Sequence, residues 1–198
     1  VNEYKGGDIS SNASCTTNCA APVIKVLNDK FGVEKAALLT IHAYTDDQNL
    51  QDNSHKDLRR ARAAGQNLVP TTSGAAVSTT KTIPSLEGLF DGIAVRAPVI
   101  SGSISDITCL TKQNVSVEQV NQAFTEAANN KLKGILAVSE DPIVSSDIIR
   151  RTESAIVDLP LTKVIDGNLV KVLAWYDNEY GYCHRLLEQA IEVGKTLP

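Results

Sequence analysis

Within the run Asn18–Phe31, Val23, Leu27 and Phe31 recur at i, i+4 and i+8, and Gly32 follows directly. That spacing predicts a helix that begins just after Cys15 and stops at a glycine able to take a left-handed C-terminal conformation. Residues 33–44 carry Ala36-Ala-Leu-Leu-Thr-Ile-His-Ala-Tyr44 between polar clusters, which predicts a buried strand with His42 at its end. From Thr45 to Gly74 the apolar periodicity stops and Asp, Asn, Gln, Ser, Lys and Arg dominate. A loop longer than about 15 residues with no structure of its own is usually functional. Residues 73–83 predict a short helix ended by Pro84, and residues 92–98 and 103–111 alternate as strands. Ser116 with Gln119 forms a capping-box pattern that opens a helix through Asn129, burying Val120, Phe124 and Ala127. A further strand is predicted over 168–177, and a final helix over 182–195 with Leu186, Leu187, Ala190 and Ile191 on one face. Strands and helices mix without strict alternation, so the expected fold class is α+β: a single mixed or antiparallel sheet with helices packed on it.

Composition narrows the function classes. The 198 residues are 42% hydrophobic and 21% charged, the profile of one soluble globular domain, with no repeat or low-complexity tract. A net charge of −4 leaves no broad basic face for a nucleic-acid backbone. Apolar runs fall far short of the roughly 20 residues a membrane span needs, and no secretory signal is read. The chain contains no methionine and opens on Val1, which reads as a piece of a longer polypeptide or a processed form. Four cysteines, Cys15, Cys19, Cys109 and Cys183, form neither a dense disulfide framework nor a zinc-ligand spacing. A reducing, cytoplasmic setting without metal is therefore expected, with Cys19 and Cys109 as buried apolar residues. Neither GxGxxG nor GxxxxGK[ST] occurs, so this chain alone is not expected to hold a dinucleotide tightly.

Chemistry concentrates at the start of the first helix. Cys15 lies in Ser11-Asn-Ala-Ser-Cys-Thr-Thr-Asn18, a polar run leading into the helix. A thiol at a helix N-terminus meets the positive end of the dipole and free N–H groups, which favour the thiolate and can receive an oxyanion. His42 can serve such a thiol as base if the fold brings the two together; by themselves the residues leave nucleophile and inert thiol both open. Arg96 sits in the otherwise apolar Gly92-Ile-Ala-Val-Arg-Ala-Pro98 and needs an internal carboxylate or a bound anion. Thr16, Thr45 and Ser73-Gly74 offer the hydroxyl and backbone donors that phosphate also takes. Arg59, Arg60 and Arg62 in the long loop read equally well as anion ligands or as a solvated salt-bridge cluster.

Together these segments resemble the catalytic domain of phosphorylating glyceraldehyde-3-phosphate dehydrogenases. The likeness rests on Ser11–Cys19, Thr40-Ile-His-Ala-Tyr-Thr45, His55-Lys-Asp-Leu-Arg-Arg-Ala-Arg62, Thr72-Ser-Gly-Ala-Ala76, Val95-Arg-Ala-Pro98 and Trp175-Tyr-Asp-Asn-Glu-Tyr-Gly-Tyr182, in the family's order along nearly the whole chain. The resemblance implies Cys15 as nucleophile on the aldehyde of glyceraldehyde 3-phosphate and His42 as base. It further implies a thioester cleaved by inorganic phosphate to 1,3-bisphosphoglycerate. Substrate-phosphate contacts fall on Thr45, Arg60 and Arg96, inorganic-phosphate contacts on Ser14, Thr16, Ser73 and Gly74, and a nicotinamide contact on Asn178. The implied cofactor is NAD. Ser54, in Asp52-Asn-Ser54, resembles the pattern of members that also accept NADP. Residues 1–198 would then be the catalytic domain, with 181–198 packing on an N-terminal Rossmann domain outside this sequence, in a homotetrameric parent. A stand-alone binding or assembly module is the competing expectation.

Overall fold

The computed structural model describes residue 4, residues 6–7 and residues 9–196. Helix α1 (Cys15–Phe31) starts at an N-cap Ser14 whose hydroxyl accepts the Thr17 N–H, and Gly32 closes it at φ 66°. Val23 and Leu27 are fully buried and Phe31 packs against the same core, as the periodicity predicts. Strand β1 (Val33–Ala43) follows at once. The polar stretch then runs on to β2 (Val69–Thr72), a short strand inside the segment expected to be wholly loop. Its burial alternates over only four residues, too few to stand out from the polar sequence before it. Then come α2 (Ala75–Thr82), β3 (Phe90–Ala97), β4 (Ser103–Thr111) and α3 (Val117–Asn129). The expected capping box is present: Ser116 Oγ accepts the Gln119 N–H, and Gln119 Oε1 accepts the Ser116 N–H.

The C-terminal part adds β5 (Leu136–Ser139), β6 (Ala155–Asp158), β7 (Lys163–Ile165), β8 (Leu169–Tyr176) and α4 (Tyr180–Gly194). All eight strands join one sheet in the order β2-β3-β1-β4-β8-β6-β5, with β7 also pairing β8. Pairs β1/β3 and β5/β6 are parallel and the others antiparallel, so the sheet is mixed as expected. Helices α1, α2 and α3 cover one face, where Leu38, Ile107, Cys109, Val172 and Phe124 are buried. On the other face Ile41 and Ile93 stay exposed. Along α4, Leu186, Leu187 and Ile191 are about half exposed, at 47%, 59% and 50%. No helix among the described residues is long and apolar enough to cross a membrane.

Candidate active site

The sheet topology creates the site. Parallel pairing of β1 with β3 sets His42 beside Arg96 in register, and α1 packs on β1 so that its first residue meets the end of that strand. Cys15 Sγ lies 3.2 Å from His42 Nε2. Ala13, at φ 54°, turns the chain left-handed just before the cap, a conformation costly for a residue with a Cβ and often found at functional sites. Asn18 Nδ2 donates to the carbonyls of Asn12 and Ser14, tying the approach segment to the first turn. Beneath the pair runs a buried hydroxyl chain: Thr16 Oγ1 and Thr40 Oγ1 lie 2.8 and 2.7 Å from Tyr176 Oη. The Tyr176 ring stands edge-on to His42, centroids 5.9 Å apart.

The far side of His42 is crowded. Nδ1 is 2.6 Å from the Ala43 carbonyl oxygen and 2.6 Å from Arg96 Nη1. The carbonyl requires an N–H at Nδ1 and the guanidinium requires a lone pair there, so the ring makes one of these bonds at a time. Burial pushes the His42 pKa down to about 4, with the Arg96 charge adding to the fall and the Ala43 carbonyl and Asp47 opposing it. Burial also raises the Cys15 thiol above its ordinary value, against the pull of the Thr16 hydroxyl and N–H and of Arg96. A helix tip by itself predicts a lowered thiol. The helix-tip donors are present, but desolvation outweighs them, and the pair at rest is a neutral thiol facing a neutral imidazole.

A second cluster adjoins the first through Arg96. Asp47 gathers the donors expected to hold a substrate phosphate: Thr45 Oγ1 donates to it at 2.5 Å, Arg60 Nη1 at 2.7 Å, and Arg96 Nη2 stands 3.7 Å away. Arg60 is further fixed by Nε donating to Thr71 Oγ1 at 2.9 Å. Burial would raise the Asp47 carboxyl, but the Thr45 hydroxyl, Arg96 and Arg60 hold it below the usual carboxylate range. Arg96 Nε is buried without a partner, as expected of a donor reserved for an anion. Arg62 instead pairs with Asp52 on the exposed loop, the solvated ion pair foreseen as its alternative.

The remaining candidates divide between helix ends and surface. Ser14 is the N-cap of α1 and Thr16 lies in its first turn, with Thr16 Oγ1 2.8 Å from Tyr176 Oη. Ser73 and Gly74 precede α2, with Gly74 as N-cap and Ser73 Oγ accepting the Ala75 N–H. Asn178 follows β8, and its Oδ1 accepts from Gly102 N and Ser103 Oγ. Ser54 is exposed, and its hydroxyl makes no hydrogen bond among the described residues. Cys19 and Cys109 are core residues whose thiols burial raises, Cys109 up to about 12. No cluster of metal-ligating side chains occurs among the described residues. Asp47, Ser103 and Tyr176 join the site from outside the candidate residues. Asp47 stands two residues after Thr45 and Tyr176 within the Trp175–Tyr182 segment, while nothing local in the sequence marks Ser103.

A mixed sheet with helices on one face sets a cysteine–histidine pair beside an arginine-rich cluster, and comparison with known proteins shows the family that shares this domain. Residues 14–178 match the family model "Glyceraldehyde 3-phosphate dehydrogenase, C-terminal domain", and the chain belongs to that family. It is 55% identical over 196 residues to glyceraldehyde-3-phosphate dehydrogenase of Mycobacterium avium, covering 98% of this chain and 58% of that protein. Identity to the enzyme so named from Mycobacterium tuberculosis (strain ATCC 25618 / H37Rv) is 54% at the same coverage. For glyceraldehyde-3-phosphate dehydrogenase 2 of Streptomyces avermitilis it is 50% over 190 residues, covering 96% of this chain and 57% of that protein. The chain thus spans somewhat under three-fifths of the length of these curated relatives.

Proposed function

We propose that residues 1–198 are the catalytic domain of a phosphorylating glyceraldehyde-3-phosphate dehydrogenase, acting with a nucleotide-binding domain on which residues 181–198 pack. The observation that carries this reading is that Arg96 touches both His42 and the Asp47 cluster, joining a nucleophile pair to an anion clamp. The half-exposed apolar residues of α4 support the packing assignment.

In the proposed reaction the substrate phosphate replaces Asp47 as the partner of Thr45, Arg60 and Arg96. Cys15 Sγ attacks the aldehyde carbon, forming the S–C bond, while the thiol proton passes to His42 Nε2. The step uses the tautomer with its proton on Nδ1, donated to the Ala43 carbonyl while Arg96 turns to the phosphate, so that Nε2 holds the lone pair that takes the thiol proton and the carbonyl steadies the imidazolium formed. The N-terminus of α1 faces the developing oxyanion. When bound, NAD supplies the hydride acceptor, with the Asn178 amide as this domain's contact to it. Asn178 fits that task because its oxygen is already occupied and its NH2 is left to donate. Inorganic phosphate, held by Ser14, Thr16, Ser73 and Gly74, then attacks the resulting thioester, releasing Cys15 as thiol and 1,3-bisphosphoglycerate as product.

NADP as a second cofactor rests on the exposed Ser54 hydroxyl. A homotetrameric parent is supported by the uncovered sheet face bearing Ile41 and Ile93, and a cytoplasmic setting by four free thiols. A binding module without chemistry has nothing to explain a thiol 3.2 Å from an imidazole. The test is Cys15→Ser in the intact parent: turnover is lost while NAD binding persists. Retained turnover overturns the assignment.

A further inference from the structure

Asn178 is nearly buried, and the identity of its inward atom is fixed. The Gly102 N–H, which can only donate, lies 3.2 Å from it, so that end of the amide is the oxygen. Ser103 Oγ approaches the same oxygen at 2.9 Å and must spend its single hydrogen there. With Oδ1 saturated, the amide presents Nδ2 away from β4, and Nδ2 makes no hydrogen bond among the described residues. Ser103 itself is 1% exposed, and its lone pair accepts the Ala43 N–H at 3.1 Å. Ala43 is the residue whose carbonyl His42 Nδ1 approaches. A single buried hydroxyl therefore bridges the backbone N–H of Ala43, the residue whose carbonyl meets His42, and the side chain of Asn178.

We infer that Ser103 is a positioning residue for the nicotinamide cofactor: its hydroxyl fixes Asn178 with the NH2 outward, as donor to a carboxamide oxygen, and pins the Ala43 peptide beside His42. This rests on the role proposed for Asn178. Removing the hydroxyl leaves Asn178 Oδ1 with one donor and frees the amide to rotate. It also leaves the Ala43 N–H without its partner. The effect reaches the cofactor through Asn178; the anion clamp meets Ser103 only at second hand, where Arg96 Nη1 donates to the Ala43 carbonyl at 3.2 Å, and Thr45 and Arg60 make no contact with it.

The experiment is titration of NAD by calorimetry into the intact parent protein and its Ser103→Ala, Asn178→Ala and doubly substituted forms, with thermal midpoints recorded. A lost hydrogen bond of ordinary strength corresponds to about a tenfold change, so each single substitution is expected to raise the NAD Kd by about that factor. The double substitution is expected to weaken NAD no more than Asn178→Ala alone, because Ser103 acts through Asn178. KM for glyceraldehyde 3-phosphate stays within about twofold of the parent, and Ser103→Thr, which keeps the hydroxyl, restores the NAD Kd. Full additivity in the double substitution, or an unchanged NAD Kd for Ser103→Ala beside a weakened Asn178→Ala, overturns the inference and leaves the Asn178 reading standing. An unchanged NAD Kd for Asn178→Ala overturns that reading itself. Should Ser103→Ala fail to fold, Ser103→Cys, which keeps the bulk and supplies only a weak donor, carries the same expectations.

Discussion

Cys15 Sγ and His42 Nε2 lie 3.2 Å apart although 27 residues separate them in sequence. The contact exists because α1 folds back across β1, and burial holds both partners uncharged. The His42 pKa falls from 6.5 to about 4 in the folded chain. Between those values the unfolded chain binds a proton that the folded one declines, so stability rises with pH across that window and is fully present above about 6.5. The difference corresponds to about 3 kcal/mol. His42→Asn is expected to flatten this slope, measured as the pH dependence of the thermal midpoint between pH 4.5 and 7. A thiolate–imidazolium pair reverses the sign: the His42 contribution would then be present at pH 6 and fade as pH rises. The same substitution should lower kcat by about 10²- to 10⁴-fold through loss of the base.

Much of this is legible in the sequence. Periodicity stopped by Gly32 marks α1 and the Ser116–Gln119 box marks α3, each nearly to the residue, whereas the Ser14 cap of α1 emerges only in the fold. Strands β2, β5, β6 and β7 were not readable. They are three or four residues long, and β6 is buried at every position, so no alternation marks it. At the site, the sequence supplied Cys15, His42, Thr45, Arg60 and Arg96 as chemistry without showing that they meet. Ser103 carries no sequence mark, and Tyr176 stands in the Trp175–Tyr182 segment without a sign of its role, because the partners of both come from across the sheet. The direction of the thiol shift was misjudged for a related reason: spacing reveals the helix tip but not the degree of burial.

Asp47 competes for the donors proposed to grip the substrate phosphate. Arg96→Leu and Arg60→Leu are each expected to raise KM for glyceraldehyde 3-phosphate on the order of 10- to 100-fold, the range for losing a charge-assisted hydrogen bond. Asp47→Asn removes the competing charge while keeping the side-chain shape. Phosphate binding at that clamp, read as KM for glyceraldehyde 3-phosphate at low ionic strength, should tighten a few-fold. Weaker phosphate binding in Asp47→Asn would show that the carboxylate orients the guanidiniums and does not stand in for the anion.

The four free cysteines should separate under alkylation. Burial raises the thiols of Cys15, Cys19 and Cys109 alike, but Cys15 is partly exposed with His42 3.2 Å away to take its proton and Cys183 is exposed, whereas Cys19 and Cys109 are buried without such a base. Iodoacetamide at neutral pH, followed by peptide mass mapping, should label Cys15 and Cys183 and spare the other two until the chain unfolds. Cys19→Ser is expected to destabilise by about 1–3 kcal/mol, since a hydroxyl replaces a fully buried apolar group. Labelling of Cys19 in the native state would contradict the packing of α1 on β8.

Gly102 joins backbone strain to the site. Its φ of 89° lies where L-residues seldom go, and a Cβ there would sit 2.3 Å from the Ser145 carbonyl oxygen. The same residue donates its N–H to Asn178 Oδ1. Gly102→Ala therefore has to move backbone against backbone, and the segment that shifts carries one of the two donors fixing Asn178. A loss of roughly 2–4 kcal/mol is expected from the combined strain and overlap. Because Ser103 follows directly, the displacement should also weaken NAD binding, while the Cys15–His42 contact, reached from Ser103 only through the Ala43 N–H and held by α1 and β1, is expected to persist. Thermal unfolding and the alkylation rate of Cys15 measure the two effects separately. A large fall in the midpoint with an unchanged Cys15 rate is the expected pattern, and a rate that falls along with the midpoint would mean that the Gly102 turn supports the nucleophile as well.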